Sequence, residues 1–257
     1  MNQVKARVFS SDTVMPGVCL MWLAAPEIAS AAQPGQFVMV GCGQDNLLRR
    51  PFSAHRVNED RSELALLFAE VGRGTQWLCR QKEGSTIDIL GPLGNGFTIN
   101  PASHNLLLVA GGIGIAPLFF LADAAIKQGK NVTLLMGAAT GEQLCPGSFI
   151  HRSINCSAAT DDGSAGYCGF ITDLLPEYIN RANQIFACGP SPMYRTMAKM
   201  PELKGKPVQV SLEVRMGCGF GVCYGCTVKT KQGLKQVCHD GPVFNLSDIL
   251  WDELADI

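Results

Sequence analysis

Between Glu213 and Phe244 the chain reads EVRMGCGFGVCYGCTVKTKQGLKQVCHDGPVF. Its four cysteines, Cys218, Cys223, Cys226 and Cys238, are set as C-x4-C-x2-C-x11-C. The first three carry the spacing of plant-type [2Fe–2S] sites, whose fourth thiolate comes from further along the chain. Each iron takes two thiolates, so a loop holding such a cluster folds back on itself. Gly217, Gly219, Gly221 and Gly225 suit that fold, because glycine permits positive φ and close approach of backbone N–H groups to sulfur. Contacts of this kind help set a cluster's potential. Zinc needs the same thiolates, but four-cysteine zinc sites more often repeat a C-x2-C pair twice.

A cluster carries one electron at a time, so the rest of the chain must supply and remove electrons. With 257 residues there is room for two domains and a small module. A hydrophobic fraction of 47% against 17% charged excludes a disordered chain. The formal net charge of −1 gives no reason to expect nucleic acid as a partner. The opening MNQVKARVFSSD lacks the apolar run of a signal peptide, and Leu106–Ala110 and Ile113–Ala125 are too short or glycine-broken to span a bilayer. These features predict a cytoplasmic protein with no membrane association. Seven further cysteines (Cys19, Cys42, Cys79, Cys145, Cys156, Cys168, Cys188) bring the total to eleven. An odd total without a secretion signal argues against a disulfide framework, and most of the seven read as small buried hydrophobes. Low charge also suggests a surface partly covered in a permanent complex.

Residues 1–100 read as an antiparallel β-barrel. Val4, Ala6, Val8 and then Val18, Leu20, Trp22 recur at period two, and Pro16-Gly17 and Pro34-Gly35 mark turns. Gln36–Val40, Leu64–Phe68 and Thr86–Ile89 read as further strands of a closed barrel. Within it lies Arg49-Arg50-Pro51-Phe52-Ser53-Ala54-His55. An arginine beside a serine at a strand end suits a phosphate, although paired arginines are usually solvated. Glu70–Thr75 is a glycine-rich turn entering a helix over Gln76–Gln81. Backbone N–H groups at such a start favour anions, and an ordinary hairpin-to-helix connection has the same pattern.

Residues 101–208 change pattern. Leu106–Ala110 is a continuous apolar run, as in a buried parallel strand, and Gly111-Gly112-Ile113-Gly114-Ile115-Ala116-Pro117 leads from it into a helix to about Lys127. Val132–Met136 and Gln184–Ala187 are further strands, the latter followed by Cys188-Gly189-Pro190. This alternation predicts a doubly wound parallel sheet. Gly112-x-Gly114-x-x-Pro117 departs from the full dinucleotide fingerprint, with proline at the third glycine and no acidic residue ending the second strand. NAD and NADP are therefore not separated by the motif. Cys188 is a nicotinamide-side neighbour or a packing residue.

Taken together these motifs resemble the electron-transfer subunit of type 1B dihydroorotate dehydrogenase, within the ferredoxin-reductase-like group, over nearly the whole chain. The resemblance implies a flavin-binding barrel (1–100), an NAD-binding α/β domain (101–208) and a [2Fe–2S] module (209–257). It implies FAD on Arg50, Pro51, Phe52 and Ser53, on Leu67, Phe68 and Ala69, and on Gly74 and Thr75. It implies NAD, as substrate, on Gly112, Gly114, Pro117, Cys188, Gly189 and Pro190, and the cluster on Cys218, Cys223, Cys226 and Cys238. The implied activity, in pyrimidine (UMP) biosynthesis, passes electrons from the FMN of a separate catalytic subunit through the cluster and FAD to NAD+. A heterotetramer of two of each subunit is expected. No dihydroorotate site and no general acid or base are expected here, and His55 and His239 are read as structural. Phe220 and Tyr224 are either interface contacts or packing over the cluster. Three alternatives remain at this stage: an NAD(P)H-linked reductase subunit of another complex, such as a hydrogenase or ferredoxin-dependent one; a zinc-stapled nucleotide-binding protein without a redox role; and a stand-alone diaphorase, which needs no partner.

Overall fold

A computed structural model describes residues 1–43 and 47–254. In chain order the elements begin with β1 (Asn2–Met15), β2 (Val18–Ala24), α1 (Pro26–Ala29), β3 (Phe37–Val40), β4 (Arg50–Ser53), β5 (Arg56–Val57), β6 (Glu63–Ala69), α2 (Arg73–Cys79) and β7 (Thr86–Leu93). All seven strands join one antiparallel sheet, ordered β4-β3-β7-β1-β2-β6-β5. The expected closure is incomplete. β4 and β5 are the two edges and share no ladder, so the sheet is a curled half-barrel around Val8, Met21, Leu23, Val38, Val40, Leu66 and Ile87.

β2 runs in the opposite phase to the one its spacing suggests. Cys19, Met21 and Leu23 fill the barrel, while Val18 and Leu20 face outward onto the second domain. Cys19 is bonded to Cys79 at the end of α2, with Cα atoms 6.0 Å apart, so these two depart from the reading of most of the seven as small buried hydrophobes. Cys42 and Cys188 are buried as expected, but Cys156 and Cys168 are exposed.

The second domain follows with β8 (Asn105–Gly111), α3 (Ile115–Lys127), β9 (Asn131–Ala138), β10 (Asn155–Thr160), β11 (Tyr167–Cys168), α4 (Ile171–Ile179), β12 (Gln184–Cys188), α5 (Ser191–Lys199) and β13 (Val208–Ser211). The sheet order is β11-β10-β9-β8-β12-β13, all parallel. LLLVA at the centre of β8 is buried on both faces, as a doubly covered strand requires. A hairpin of β14 (Thr227–Thr230) and β15 (Gly233–Gln236), helix α6 (Val237–Asp240) and strand β16 (Val243–Asn245) complete the chain. β16 does not stand apart: it pairs antiparallel with β13 and extends the second sheet. The last three residues of the expected 209–257 module lie outside the described residues.

Three contacts seat the barrel on α3. His55 Nδ1 lies 2.8 Å from the Ala116 carbonyl, Arg56 pairs with Asp123 at 2.8 Å, and the Arg56 guanidinium stacks 4.6 Å from the centre of the Phe119 ring. Burial is the main cause that holds the His55 imidazole neutral, down to about 3.

Candidate functional site

Cys218 and Cys223 lie on the loop before β14, Cys226 immediately precedes that strand, and Cys238 sits on α6. Cys226 and Cys238 are buried, Cys218 half-buried and Cys223 exposed. Backbone N–H groups point at three of the sulfurs. Gly221 donates to Cys238 Sγ at 3.1 Å, Val222 to Cys218 Sγ at 3.4 Å and Cys238 to Cys226 Sγ at 3.4 Å. Two glycines require their identity. Gly221 (φ +88°) turns its N–H inward, and Gly219 (φ +85°) lies so close to the Met39 side chain that a Cβ has no room. Gly217 and Gly225 do not take positive φ; both lie beside Cys223 Sγ. Tyr224 is itself left-handed (φ 58°), a conformation uncommon for a non-glycine residue.

Burial raises the Cys218 thiol, but the N–H groups of Phe220, Cys223 and Val222 outweigh it and bring it down to about 6. Burial, then the neighbouring Cys226, push Cys238 up to about 12. Such a thiol ionises once a metal coordinates it. A mononuclear tetrahedral site with Zn–S bonds near 2.3 Å brings all its sulfurs within about 3.8 Å of one another. Among the described residues, no three of these four sulfurs lie even within 4.8 Å of each other. A binuclear cluster, which divides four thiolates between two irons, fits that spread. Among the described residues the buried Gln236 Nε2 has no partner, and its Oε1 lies beside Gly221, so a donor remains for an acceptor in the loop.

The flavin motif occupies β4. Arg49 is tied to Asp88 at 2.7 Å, which leaves Arg50 as the residue available to a phosphate. Arg50 donates through Nη1 to the carbonyls of Leu48 and Arg49. Its Nε lies 3.7 Å from where a Cβ on Gly74 would stand, so the guanidinium sits beside the first turn of α2. That helix begins at Arg73, three residues before its expected start. The Thr75 hydroxyl is committed to its own turn: it accepts the N–H groups of Val71 (2.9 Å) and Gly72 (3.0 Å). Pro51 is paired with Met39 and Ser53 with Phe37. Phe52 packs on Phe68 inside the barrel, and Leu67 is buried against the second domain. Of the stretch Leu67–Ala69, only Ala69 reaches the cleft between the domains.

That cleft, about 920 Å³, runs along the C-terminal ends of the parallel strands, where open α/β sheets bind ligands. Gly112, Gly114, Gly189 and Pro190 line it. Pro117 and Cys188 do not line it but lie buried beneath. Gly114 packs so tightly on the Cys188 carbonyl that no side chain fits there, and this joins the two nucleotide motifs. Burial, then the Glu213 carboxylate, push the Cys188 thiol well above its ordinary value, so it remains a thiol at neutral pH. Its Sγ lies 3.8 Å from Glu213 Oε1. Glu213 opens onto the cleft while protein crowds its carboxyl; this desolvation raises it above the usual range. The buried Tyr194 hydroxyl accepts the Gly189 N–H at 2.9 Å and donates to the Ser211 carbonyl at 2.7 Å, fixing the Cys188–Pro190 turn.

Sequence reasoning missed Asp161, Phe170, Tyr194 and Glu213, all of which line the cleft. Asp161 follows the polar strand β10, whose NCSAAT has no apolar run to announce it. It also missed Met39. Met39 is fully buried, touches the cluster loop at Gly219, and is the cross-strand neighbour of Pro51. Asn95 adds a second tie, donating to the carbonyls of His239 (3.1 Å) and Asp240 (3.0 Å) on α6.

A curled antiparallel sheet followed by a parallel α/β sheet defines a ferredoxin-reductase-like protein. Consistent with this, the fold is shared with a solved ferredoxin NADP+ reductase of Neisseria gonorrhoeae with bound FAD and NADP (TM-score 0.64, 18% identity, 78% of this chain and 92% of that one). A solved NADH-dependent reduced ferredoxin–NADP oxidoreductase is more similar, with TM-score 0.88 and 32% identity over 98% of this chain and 91% of that one. Residues 213–250 match the iron-sulfur cluster binding domain of dihydroorotate dehydrogenase B. Over 96% of its length the chain is 40% identical to the dihydroorotate dehydrogenase B (NAD(+)) electron transfer subunit of Desulforamulus reducens, of which 98% is covered. It is 38% identical to that of Bacillus caldolyticus (85% and 87%). The chain belongs to the family of dihydroorotate dehydrogenase B electron transfer subunits.

Proposed function

We propose that this chain carries electrons from a dihydroorotate-oxidising catalytic subunit to NAD+ through a [2Fe–2S] cluster and FAD, in the making of UMP. The observation that carries the reading is the contact of Gly219 with Met39, because Met39 is paired with Pro51 of the flavin motif. One side chain thus separates the cluster loop from the flavin strand.

FAD, when bound, exchanges electron pairs with a nicotinamide and single electrons with a cluster. The chain's own residues hold and space these groups. Cys218, Cys223, Cys226 and Cys238 supply four thiolates, and the N–H groups of Gly221, Val222 and Cys238 temper their charge. Arg50 and the backbone of the 72–75 turn hold a diphosphate, with Pro51, Phe52, Ser53, Leu67, Phe68 and Ala69 shaping the flavin's bed. Gly112 and Gly114 let the nicotinamide dinucleotide approach β8, and Gly189-Pro190 caps its other end. Residues 1–100, 101–208 and 209–257 are the working units, the third joined to the second through β13, which spans their boundary and belongs to the second sheet, and through β16.

The partner side is the cluster loop. Phe220, Val222 and Tyr224 are 42%, 67% and 70% exposed, which favours docking over packing on the cluster. We assign to this surface an FMN-containing catalytic subunit, in an assembly of two of each. No helix among the described residues is long and apolar enough to cross a membrane. A cytoplasmic location is part of the proposal.

The test is dihydroorotate-dependent NAD+ reduction by the reconstituted pair. Turnover requiring both subunits supports the reading. A second reading takes reduced ferredoxin as the electron donor, favoured by the 32% identity to the NADH-dependent reduced ferredoxin–NADP oxidoreductase. Turnover with reduced ferredoxin, and none with dihydroorotate and its dehydrogenase, selects that second reading.

A further inference from the structure

A buried hydrogen-bond donor left without an acceptor costs about 1–3 kcal/mol, so a chain seldom keeps one unless a bound group receives it. Gln236 Nε2 is such a donor: it is buried, and among the described residues none accepts from it. Gln236 ends β15, and Cys238 follows two residues later on α6. Two bonds fix this corner. The Gln236 N–H donates to Asp240 Oδ2 (2.7 Å), and the Val237 N–H donates to the Cys226 carbonyl (3.1 Å). Gln236 is also the cross-strand neighbour of Thr227, the residue after Cys226. Its backbone therefore stands between two of the four cysteines.

The side chain reaches across to the cluster loop. A Cβ on Gly221 would stand 3.2 Å from Gln236 Oε1 and 3.2 Å from His239 Cβ and Cδ2, so the carboxamide and the imidazole flank that glycine. Gly221 sends its N–H to Cys238 Sγ at 3.1 Å, and Val222 sends its own to Cys218 Sγ at 3.4 Å. The carboxamide of Gln236 thus lies beside the backbone groups that already face the sulfurs. Those backbone donors are set by the fold. Gln236 differs from them in offering a side-chain N–H, which a substitution removes without touching the main chain.

The protein acceptors close by are already engaged. The Asp240 carboxylate takes the Gln236 backbone N–H, and the carbonyls of His239 and Asp240 take the Asn95 side chain at 3.1 and 3.0 Å. The acceptors that a four-cysteine cluster brings to this place are its sulfurs. Reduction adds one electron, and so one negative charge, to the group they belong to; no bond breaks and no proton moves. An N–H aimed at a sulfur favours the more negative form, as any hydrogen bond donated to a charged group does. The reduced cluster gains more from such a donor than the oxidised one.

We propose that the Gln236 carboxamide donates to a sulfur of the bound cluster and raises its reduction potential, so that a side chain sets how readily the cluster takes an electron. The proposal rests on the electron-transfer reading and names a residue that tunes it.

The experiment uses the full chain loaded with its flavin and cluster. An anaerobic titration with redox dyes, read by the electron paramagnetic resonance of the reduced cluster, gives the midpoint potential without any turnover. Gln236→Met keeps the length of the side chain and removes the donor. Gln236→Glu keeps its shape and puts a carboxylate where the amide stood. At a fixed poise the ratio of reduced to oxidised cluster is expected to fall by about tenfold in Gln236→Met, which is about 59 mV for one electron, and to fall further in Gln236→Glu. Gln232→Met, in the turn of the same hairpin with its amide on Asp248 Oδ1 (3.4 Å), is expected to leave the potential where it was. In parallel, the wild-type chain is made with heavy nitrogen in its glutamine side chains only. Pulsed resonance of its reduced cluster is expected to show a coupling to that nitrogen, and this measurement decides the matter if both variants shed the cluster. A potential unchanged or raised in the two variants, or no such coupling in the wild type, overturns the proposal while the electron-transfer reading stands. A wild-type chain that takes up no [2Fe–2S] cluster overturns that reading and the proposal with it.

Discussion

Gly219 holds a φ of +85° with the Met39 side chain against it, so two independent constraints fall on one residue of the cluster loop. Gly219→Ala is predicted to cost about 1–2 kcal/mol from the backbone alone, with the Met39 clash added. Iron content per chain after purification should fall with it. Gly225→Ala, whose Cβ would stand 3.6 Å from Cys223 Sγ without a positive φ, should retain its iron. If the two variants lose iron equally, the distinction between the glycines is wrong. Met39 carries the other half of the contact. Met39→Ala removes a fully buried side chain and is predicted to destabilise by about 2–5 kcal/mol, while Met39→Leu should cost less than about 1.5 kcal/mol. Urea unfolding of the two variants checks this. The loaded Met39→Ala chain should also show slower electron exchange between flavin and cluster, which stopped-flow absorbance resolves.

The His55–Ala116 bond makes α3 and the barrel one unit, and its chemistry predicts a pH dependence. In the unfolded chain the imidazole takes a proton near pH 6.5, but in the folded one not until about 3. Between those values the unfolded state binds more protons, so stability falls as pH falls, by up to about 1.4 kcal/mol per pH unit. Above about pH 6.5 this contribution is fully present. Thermal midpoints measured at pH 7.0 and 5.5 should therefore drop more for the wild type than for His55→Asn; equal drops would refute the role. Elements of this kind differ in how far sequence shows them. β8, α3 and β12 were legible because their apolar runs and flanking glycines are strong local signals. β10, β13 and β16 were not, since NCSAAT has no apolar run, VQVS and VFN are short, and all three take their place from pairing. The phase of β2 escaped because apolar residues occupy both of its faces, one filling the barrel and one covering the second domain. The cluster cysteines were legible as a spacing, and the flavin and nucleotide motifs as short strings. Asp161, Glu213 and Met39 became visible only through the fold, which brings them to the sites from separate strands.

At the scale of the molecule, two domains and the cluster segment share one packed seam. Phe37, Met39, Leu90 and Leu93 of the barrel lie in the same core as Val210 and Leu212 of the second domain and Cys226, Val228 and Cys238 of the cluster segment. The exposed Phe220, Val222 and Tyr224 are left on its outer rim. Val222→Asp is predicted to weaken assembly with the catalytic subunit by at least about tenfold, through a desolvated charge at an apolar contact. Flavin reduction by NADH in the isolated chain should persist in that variant; co-elution and titration calorimetry measure the loss of assembly. The central claim, that flavin, cluster and partner form one line, is tested most directly by an anaerobic spectral titration of the loaded chain. NADH alone should bleach both the flavin bands and the broad iron–sulfur absorption, and dihydroorotate should bleach them only when the catalytic subunit is present. Flavin bands that bleach while the cluster stays oxidised, or a colourless protein holding stoichiometric zinc, would contradict it.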